Sequence, residues 1–154
     1  MARTGQPRTL LGFDYGRNRI GVAVGQELTA TARPLVTLPT RNKHPDWDAI
    51  DRLIAGWRPD LLIVGVPYHA DGSANSITAL AQRFSRQLEA RYGLAVDTID
   101  ERLSSHEAEA VIGRFQRASQ RCDKSLIDQI AAALILETWF NHHKVSAICR
   151  IPNN

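Results

Sequence analysis

Leu61 to Val66 form an unbroken apolar run, Leu-Leu-Ile-Val-Gly-Val, bounded by Pro59 and Pro67. A strand with no polar residue on either face must be covered on both, so it belongs inside a sheet, beside a parallel neighbour, with helices packed above and below. A chain of 154 residues is long enough to bury such a core and about the size of one domain. The expectation is therefore a single α/β domain over 1–154, with its core at about 8–141.

The segments around that run agree with it. Thr9 to Asp14 is a short apolar run closed by the turn Tyr15-Gly16-Arg17-Asn18, and Arg19 to Gly25 resumes as a second strand. Ala32 to Leu38 adds a third, with Pro39 expected to end it. Trp47, Ile50, Leu53, Ile54 and Trp57 recur at helical spacing, which predicts an amphipathic helix over 45–57. Ile77, Leu80, Ala81, Phe84 and Leu88 do the same up to Arg91, with Ser73 or Asn75 as cap and Gly93 as stop. Leu94 to Ile99 reads as a strand. A helix capped by Ser104 or Ser105 should run toward Phe115, then a basic connection from Arg114 to Lys124. Leu126, Ile130, Ala133, Leu134 and Trp139 mark a final helix, with Val145 to Asn154 peripheral. The order βββαβαβαα gives five strands in a mixed sheet flanked by helices, the ribonuclease H-like order.

Composition narrows the function classes. Nineteen Lys and Arg against sixteen Asp and Glu leave a net charge of +3, a mild pointer to a polyanionic partner. Cys122 and Cys149 stand far apart with no Cys-x-x-Cys spacing, so neither a zinc site nor a disulfide framework is expected. No apolar run approaches the roughly 18 residues of a membrane span, and 1–9 lack an apolar signal core. A cytoplasmic protein without membrane contact is the expectation.

Three regions carry acids that a sheet of this kind brings toward one edge. Asp14 ends the first apolar strand, and Gly16 and Gly21 flank it in the hairpin, where backbone can approach closely. Asp100-Glu101 sits where the last strand ends, and the alternation of a strand lets only one of the two face a site. Asp128 lies in an Ala-rich helix with Ala131 and Ala132 as small neighbours. Each has a structural reading as well: Asp14 as a turn aspartate, the 100–101 pair as partners of Arg102 or caps, Asp128 as the i+4 partner of Lys124. Together in one cleft they would repel unless a hard cation such as Mg²⁺ or Mn²⁺ joined them. Two such ions can activate water and stabilise a leaving oxygen, which suits a chain with no evident Ser-His-Asp or Cys-His arrangement.

Four blocks carry a resemblance over nearly the whole chain, from about Leu10 to Phe140. They are Phe13-Asp14-Tyr15-Gly16 with Arg19-Ile20-Gly21-Val22-Ala23, Val64-Gly65-Val66-Pro67 with Asp71-Gly72-Ser73, Asp100-Glu101-Arg102-Leu103-Ser104, and Lys124-Ser125-Leu126-Ile127-Asp128 with Ala131-Ala132-Ala133. In this order they resemble the YqgF family, the pre-16S ribosomal RNA nucleases also called Holliday junction resolvase-like proteins. The resemblance implies a ribonuclease H-like fold and metal-dependent hydrolysis that processes the 5′ end of precursor 16S ribosomal RNA, with Mg²⁺ or Mn²⁺ as cofactor. It also implies that Asp14, Glu101 and Asp128 are the catalytic, metal-binding acids, and that Arg19, Arg102 and Lys124 contact phosphate. The implied partners are precursor ribosomal RNA, structured DNA and ribosomal particles, for a monomer or homodimer. Tyr68 and His69 depart from the Leu and Asn that relatives often carry after the Gly-x-Pro turn; an aromatic there can stack on a base or cover the strand end. The competing functions are a junction resolvase acting on DNA and a non-catalytic nucleic-acid-binding module.

Overall fold

The computed structural model describes residues 7–42, 44–104 and 124–149, apart from the side chains of 104, 124 and 144–149. The apolar run forms β5 (Leu61–Val66), every residue of it buried. It pairs in parallel with β1 (Thr9–Tyr15) on one side and β6 (Ala95–Asp100) on the other. β2 (Arg19–Gln26) pairs antiparallel with the other edge of β1, β3 (Thr31–Arg41) with β2, and the two-residue β4 (His44–Pro45) with the end of β3. The sheet order is β4-β3-β2-β1-β5-β6.

The sixth strand corrects the expected five. Thr40 and Arg41 pair with Pro45 and His44 across a tight turn in which Asn42 takes φ 52°. Two paired residues are too few to leave a periodic signal, and Asn tolerates the left-handed conformation. β3 is also longer than expected, running through Pro34 and Pro39. It is an edge strand over most of its length, where a missing N–H is tolerated. The register slips between Val22 and Ala23, which face Val36 and Pro34, so that Leu35 is the extra residue of a bulge.

Two layers of helix cover the sheet. On one face α1 (Trp47–Trp57) and α2 (Ser76–Tyr92) enclose Leu11, Phe13, Tyr15, Ile20, Val22, Leu62 and Val64 together with their own Ile50, Phe84 and Leu88. Asp46 caps α1 through the Ala49 N–H. Asn75 and Thr78 form a capping box on α2, and Gly93 ends it at φ 63°. Thr78 is fully buried, and its hydroxyl donates to the carbonyl of Pro67, tying the start of α2 to the loop that leaves β5.

The other face is covered by one long helix, α3 (Lys124–Cys149), whose Ala132, Leu136, Trp139 and Phe140 pack on Leu10, Ala23, Ile63 and Ile99. Its backbone runs on past Trp139 and into the stretch from Val145 expected to be peripheral, because no Gly or Pro interrupts the sequence before Pro152. Glu101–Ser104 form a single 3₁₀ turn after β6. The helix expected from Ser104 or Ser105 toward Phe115, and the basic stretch that follows it, lie outside the described residues.

What sets the distance of α3 from the sheet is glycine. A Cβ on Gly12 would stand 2.6 Å from Leu136 Cγ, one on Gly21 2.0 Å from the Asp128 carbonyl oxygen, one on Gly25 3.1 Å from the Phe140 ring, and one on Gly65 2.3 Å from Ile135 Cδ1. Asp128, Leu136 and Phe140 lie on one stripe of a helix, so these glycines form a trough in which that stripe rests.

Candidate active site

The parallel strands β1, β5 and β6 end at the same edge, the location where open α/β sheets place their sites. Asp14 is the sixth residue of β1, and its neighbours in the two adjoining strands are Gly21 on β2 and Gly65 on β5. Neither neighbour has a side chain, so the space beside the Asp14 carboxylate is left open on both sides. Other groups enter it. A Cβ on Gly65 would come within 2.9 Å of Glu101 Oε1, and one on Gly21 would strike the backbone of Asp128.

Asp14 and Glu101 lie close enough for each carboxyl to act on the other, with Asp128 near enough for its charge to act on Asp14. Burial is the largest influence on both groups, and it pushes both carboxyls up. Glu101 rises to about 9, through burial, then the charge of Asp14, then that of Asp100. Asp14 rises through burial and the charge of Asp128, opposed by the bond in which protonated Glu101 donates to it. Burial and the charge of Asp14 thus favour a protonated Glu101 at neutral pH, since two desolvated carboxylates in contact cannot both ionise.

Asp128 is engaged differently. Its Oδ2 accepts from Arg19 Nε at 2.6 Å, across the mouth of the hairpin. Thr37 on β3 fixes the start of the same helix by donating to the carbonyl of Ser125 at 2.5 Å. Asp100 points elsewhere: both of its oxygens take bonds from Arg102, the tightest at 2.5 Å, which hold its carboxyl below the usual range. The guanidinium of Arg102 also lies 5.5 Å above the Tyr68 ring and against Gly72. Tyr68 is thus part of a stacked cover over the strand end. The side chain of Lys124 lies outside the described residues.

The structure therefore brings Asp14 and Glu101 into contact, places Asp128 beside them, and turns Asp100 away. Among the described residues no three acidic, His or Cys side chains gather closely enough to grip a metal ion between them. The donor set still fits a hard divalent cation. Glu101 reaches into the space that Gly65 leaves beside Asp14, two carboxyls brought together in this way offer hard oxygen ligands, and Asp128 could join them by releasing Arg19. Reasoning from sequence missed Gly65 as a site residue; its signal was a glycine interrupting the apolar run at the position that faces Asp14.

Arg19 and Asp128 are both partly exposed, with side chains 44% and 22% accessible. Arg19→Gln is expected to lower stability in urea by less than about 1 kcal/mol, the range of accessible ion pairs. A loss above about 2 kcal/mol would mean that the substitution strands a buried charge.

Residues 8–142 match the family model described as RuvX, Holliday junction resolvase. The chain belongs to the RuvX family. This RuvX chain is 49% identical over 139 residues, 90% of each chain, to a protein of Nitrosococcus oceani named "Putative pre-16S rRNA nuclease". A protein of the same name from Azotobacter vinelandii is 46% identical over 86% of this chain and 93% of its own. The resemblance to the YqgF family is thereby confirmed. Among solved structures, RuvC of Thermus thermophilus in complex with a Holliday junction substrate aligns with TM-score 0.57 and 17% identity, over 90% of this chain and 97% of that one. The fowlpox virus Holliday junction resolvase aligns with TM-score 0.51 and 11% identity, over 87% and 99%. The RuvX chain thus has the ribonuclease H-like α/β fold of the resolvases, and it is a nuclease, a hydrolase acting on nucleic acid. Among the described residues no helix is long and apolar enough to cross a membrane.

Proposed function

We propose that this nuclease cuts precursor 16S ribosomal RNA in the cytoplasm during ribosome maturation, using divalent metal ions held by Asp14 and Glu101 with Asp128 as the third carboxylate. The carboxyl pair carries the metal reading. A fold that desolvates two acids against each other, with a third beside them, stores a repulsion that a cation relieves. Substrate identity rests on the relatives named for pre-16S rRNA at 44–49% identity over 86% or more of the chain.

Asp14 and Glu101 would hold the ion at the strand ends, and Asp128 would complete its shell once Arg19 turns to a phosphate oxygen. Bound there, Mg²⁺ or Mn²⁺ would polarise the phosphodiester and lower the pKa of an attacking water. Arg19 and Arg102 supply positive charge at the rim, where guanidinium forks suit phosphate, and Lys124 is assigned the same role. Gly21 and Gly65 keep the space beside Asp14 clear for the scissile group.

The test is cleavage of end-labelled precursor ribosomal RNA with Mg²⁺ or Mn²⁺ against an EDTA control, with the product ladder separating internal from terminal cutting. A second readout is thermal. Mg²⁺ at a hundredfold excess over its Kd should stabilise the protein by about 2.7 kcal/mol, and EDTA should reverse the shift. No shift with either metal would sink the metal assignment even if RNA were cut.

The description of the matching family favours a second reading, resolution of Holliday junctions. Symmetrical cutting of a four-way junction needs two active sites and hence a dimer. A protein that stays monomeric on junction DNA and leaves it uncut would exclude this reading.

A further inference from the structure

Beyond the acids, the same end of the sheet carries a row of basic groups that no part of the proposed chemistry uses. Arg83 on α2 lines a recess of about 190 Å³ with Tyr15, Asn42, His44 and Gln87. His44 and Pro45 also line a second recess, of about 500 Å³, with Arg41 and Arg52. The two recesses share His44 and Pro45 and so adjoin across β4 as a grooved surface. Arg41, Arg52 and Arg83 are exposed, and none takes part in an ion pair among the described residues. Arg8, Arg19, Arg91 and Arg102, by contrast, are each bound to a carboxylate. Asp46 and Asp48 border the outer recess, but Asp46 is committed to capping α1. The inner recess is lined by no acid.

The register places this groove at the same end of the sheet as the acids, on the face covered by α1 and α2, while Asp14 opens toward α3 on the other face. Asp14 is paired with Gly21, Arg19 with Pro39, and Arg41 stands two residues beyond Pro39. β3 is two strands from β1, roughly 10 Å away at ordinary strand spacing. Tyr15, which lines the inner recess, follows Asp14 at the end of β1, and the alternation of the strand turns it to the opposite face. A chain leaving the acids rounds the end of the sheet over the Gly16 turn and then meets the groove within a few nucleotides.

We propose that the groove lined by Arg41, His44, Arg52 and Arg83 binds the phosphates of a single-stranded segment flanking the scissile bond. The inference rests on the nuclease reading but not on the metal or on the ribosomal substrate. Free guanidiniums on a concave surface are what a polyanion requires. The inner recess is smaller than an ordinary ligand pocket, which suits a sugar-phosphate backbone.

The test measures binding of a labelled 16-nucleotide single-stranded RNA by fluorescence anisotropy in EDTA, over a range of salt, so that cleavage plays no part. Arg41→Gln/Arg83→Gln is expected to weaken binding about tenfold and to reduce the salt slope by about 1.4, since each phosphate contact on a single strand contributes about 0.7. Arg33→Gln/Arg58→Gln removes the same charge at the opposite end of the sheet and should leave the slope unchanged. Equal effects of the two double variants would overturn the groove. So would a duplex RNA whose binding depends on Arg41 and Arg83 as strongly as that of the single strand. Binding that depends on the groove, in a protein that no metal makes active, would instead leave the groove standing and remove the metal reading.

Discussion

Asp14→Asn is expected to reduce RNA cleavage by roughly 10²-fold or more, the scale of losing an electrostatic stabiliser of a transition state, while raising the melting temperature of the metal-free protein. Both effects have one origin. Asp14 is pushed up by burial and by Asp128, and its charge in turn helps to push Glu101 to about 9. Removing that charge leaves a neutral amide in the same space and relieves the repulsion. A gain of about 1–2 kcal/mol, or roughly 3–6 °C, is the ordinary size of such a release at a functional site.

The pH dependence follows with a definite sign. Glu101 binds its proton more tightly in the folded chain than at its ordinary value of 4.5. The folded state thus holds more protons than the unfolded state between those two values, and stability falls as pH rises through that window. The contribution is fully present below about 4.5 and lost on passing about 9. Wild-type protein in EDTA should therefore melt at progressively lower temperature from pH 5 to pH 9. The slope should be shallower in Asp14→Asn, and Mg²⁺ should flatten it in the wild type only. A mutant that is less stable than wild type at pH 8 would show that Asp14 supports the fold rather than burdening it.

Gly21→Ala should unfold the site from its other side. The added methyl would lie 2.0 Å from the Asp128 carbonyl oxygen and 2.4 Å from its carbonyl carbon. Those are backbone atoms of a helix, so no rotamer change relieves the clash, and the start of α3 must lift off the sheet. Overpacking of this kind costs about 1–3 kcal/mol and occasionally more, and backbone collision places Gly21 at the upper end. Urea unfolding should lose about 3 kcal/mol, and cleavage should fall with it, because Asp128 moves with the helix. Gly56→Ala is the control. A Cβ there meets nothing within 4 Å, so replacing a helical glycine should leave stability unchanged or slightly higher. Equal stability of Gly21→Ala and wild type would mean that α3 does not rest on β2 as described.

Part of this was open to reading in the chain alone. The buried run Leu61–Val66, the hairpin around Gly16 and the apolar stripes of α1 and α2 are local patterns, set by side-chain periodicity and turn chemistry within a few residues. The acids stood out because carboxylates at the ends of apolar segments need a reason to be there. The two-residue β4 did not stand out, since its pairing depends on a turn rather than on any repeat. The continuation of α3 was carried by the absence of a stop signal, which is weaker than the presence of one.

What the sequence by itself determined was which residues are apolar together, where the chain must turn, and which families of acid and arginine were available at the strand ends. Only the tertiary structure decided which of them meet. Glu101 faces Asp14 while Asp100 is taken by Arg102, because a 3₁₀ turn begins at residue 101 and Gly65 leaves its carboxyl room. Asp128 reaches the same edge from 114 residues away in sequence (128 − 14), because Gly12, Gly21, Gly25 and Gly65 let a helix settle into the sheet. Those contacts arise from close packing between distant segments, and a periodicity records only which face is buried, never what it is buried against.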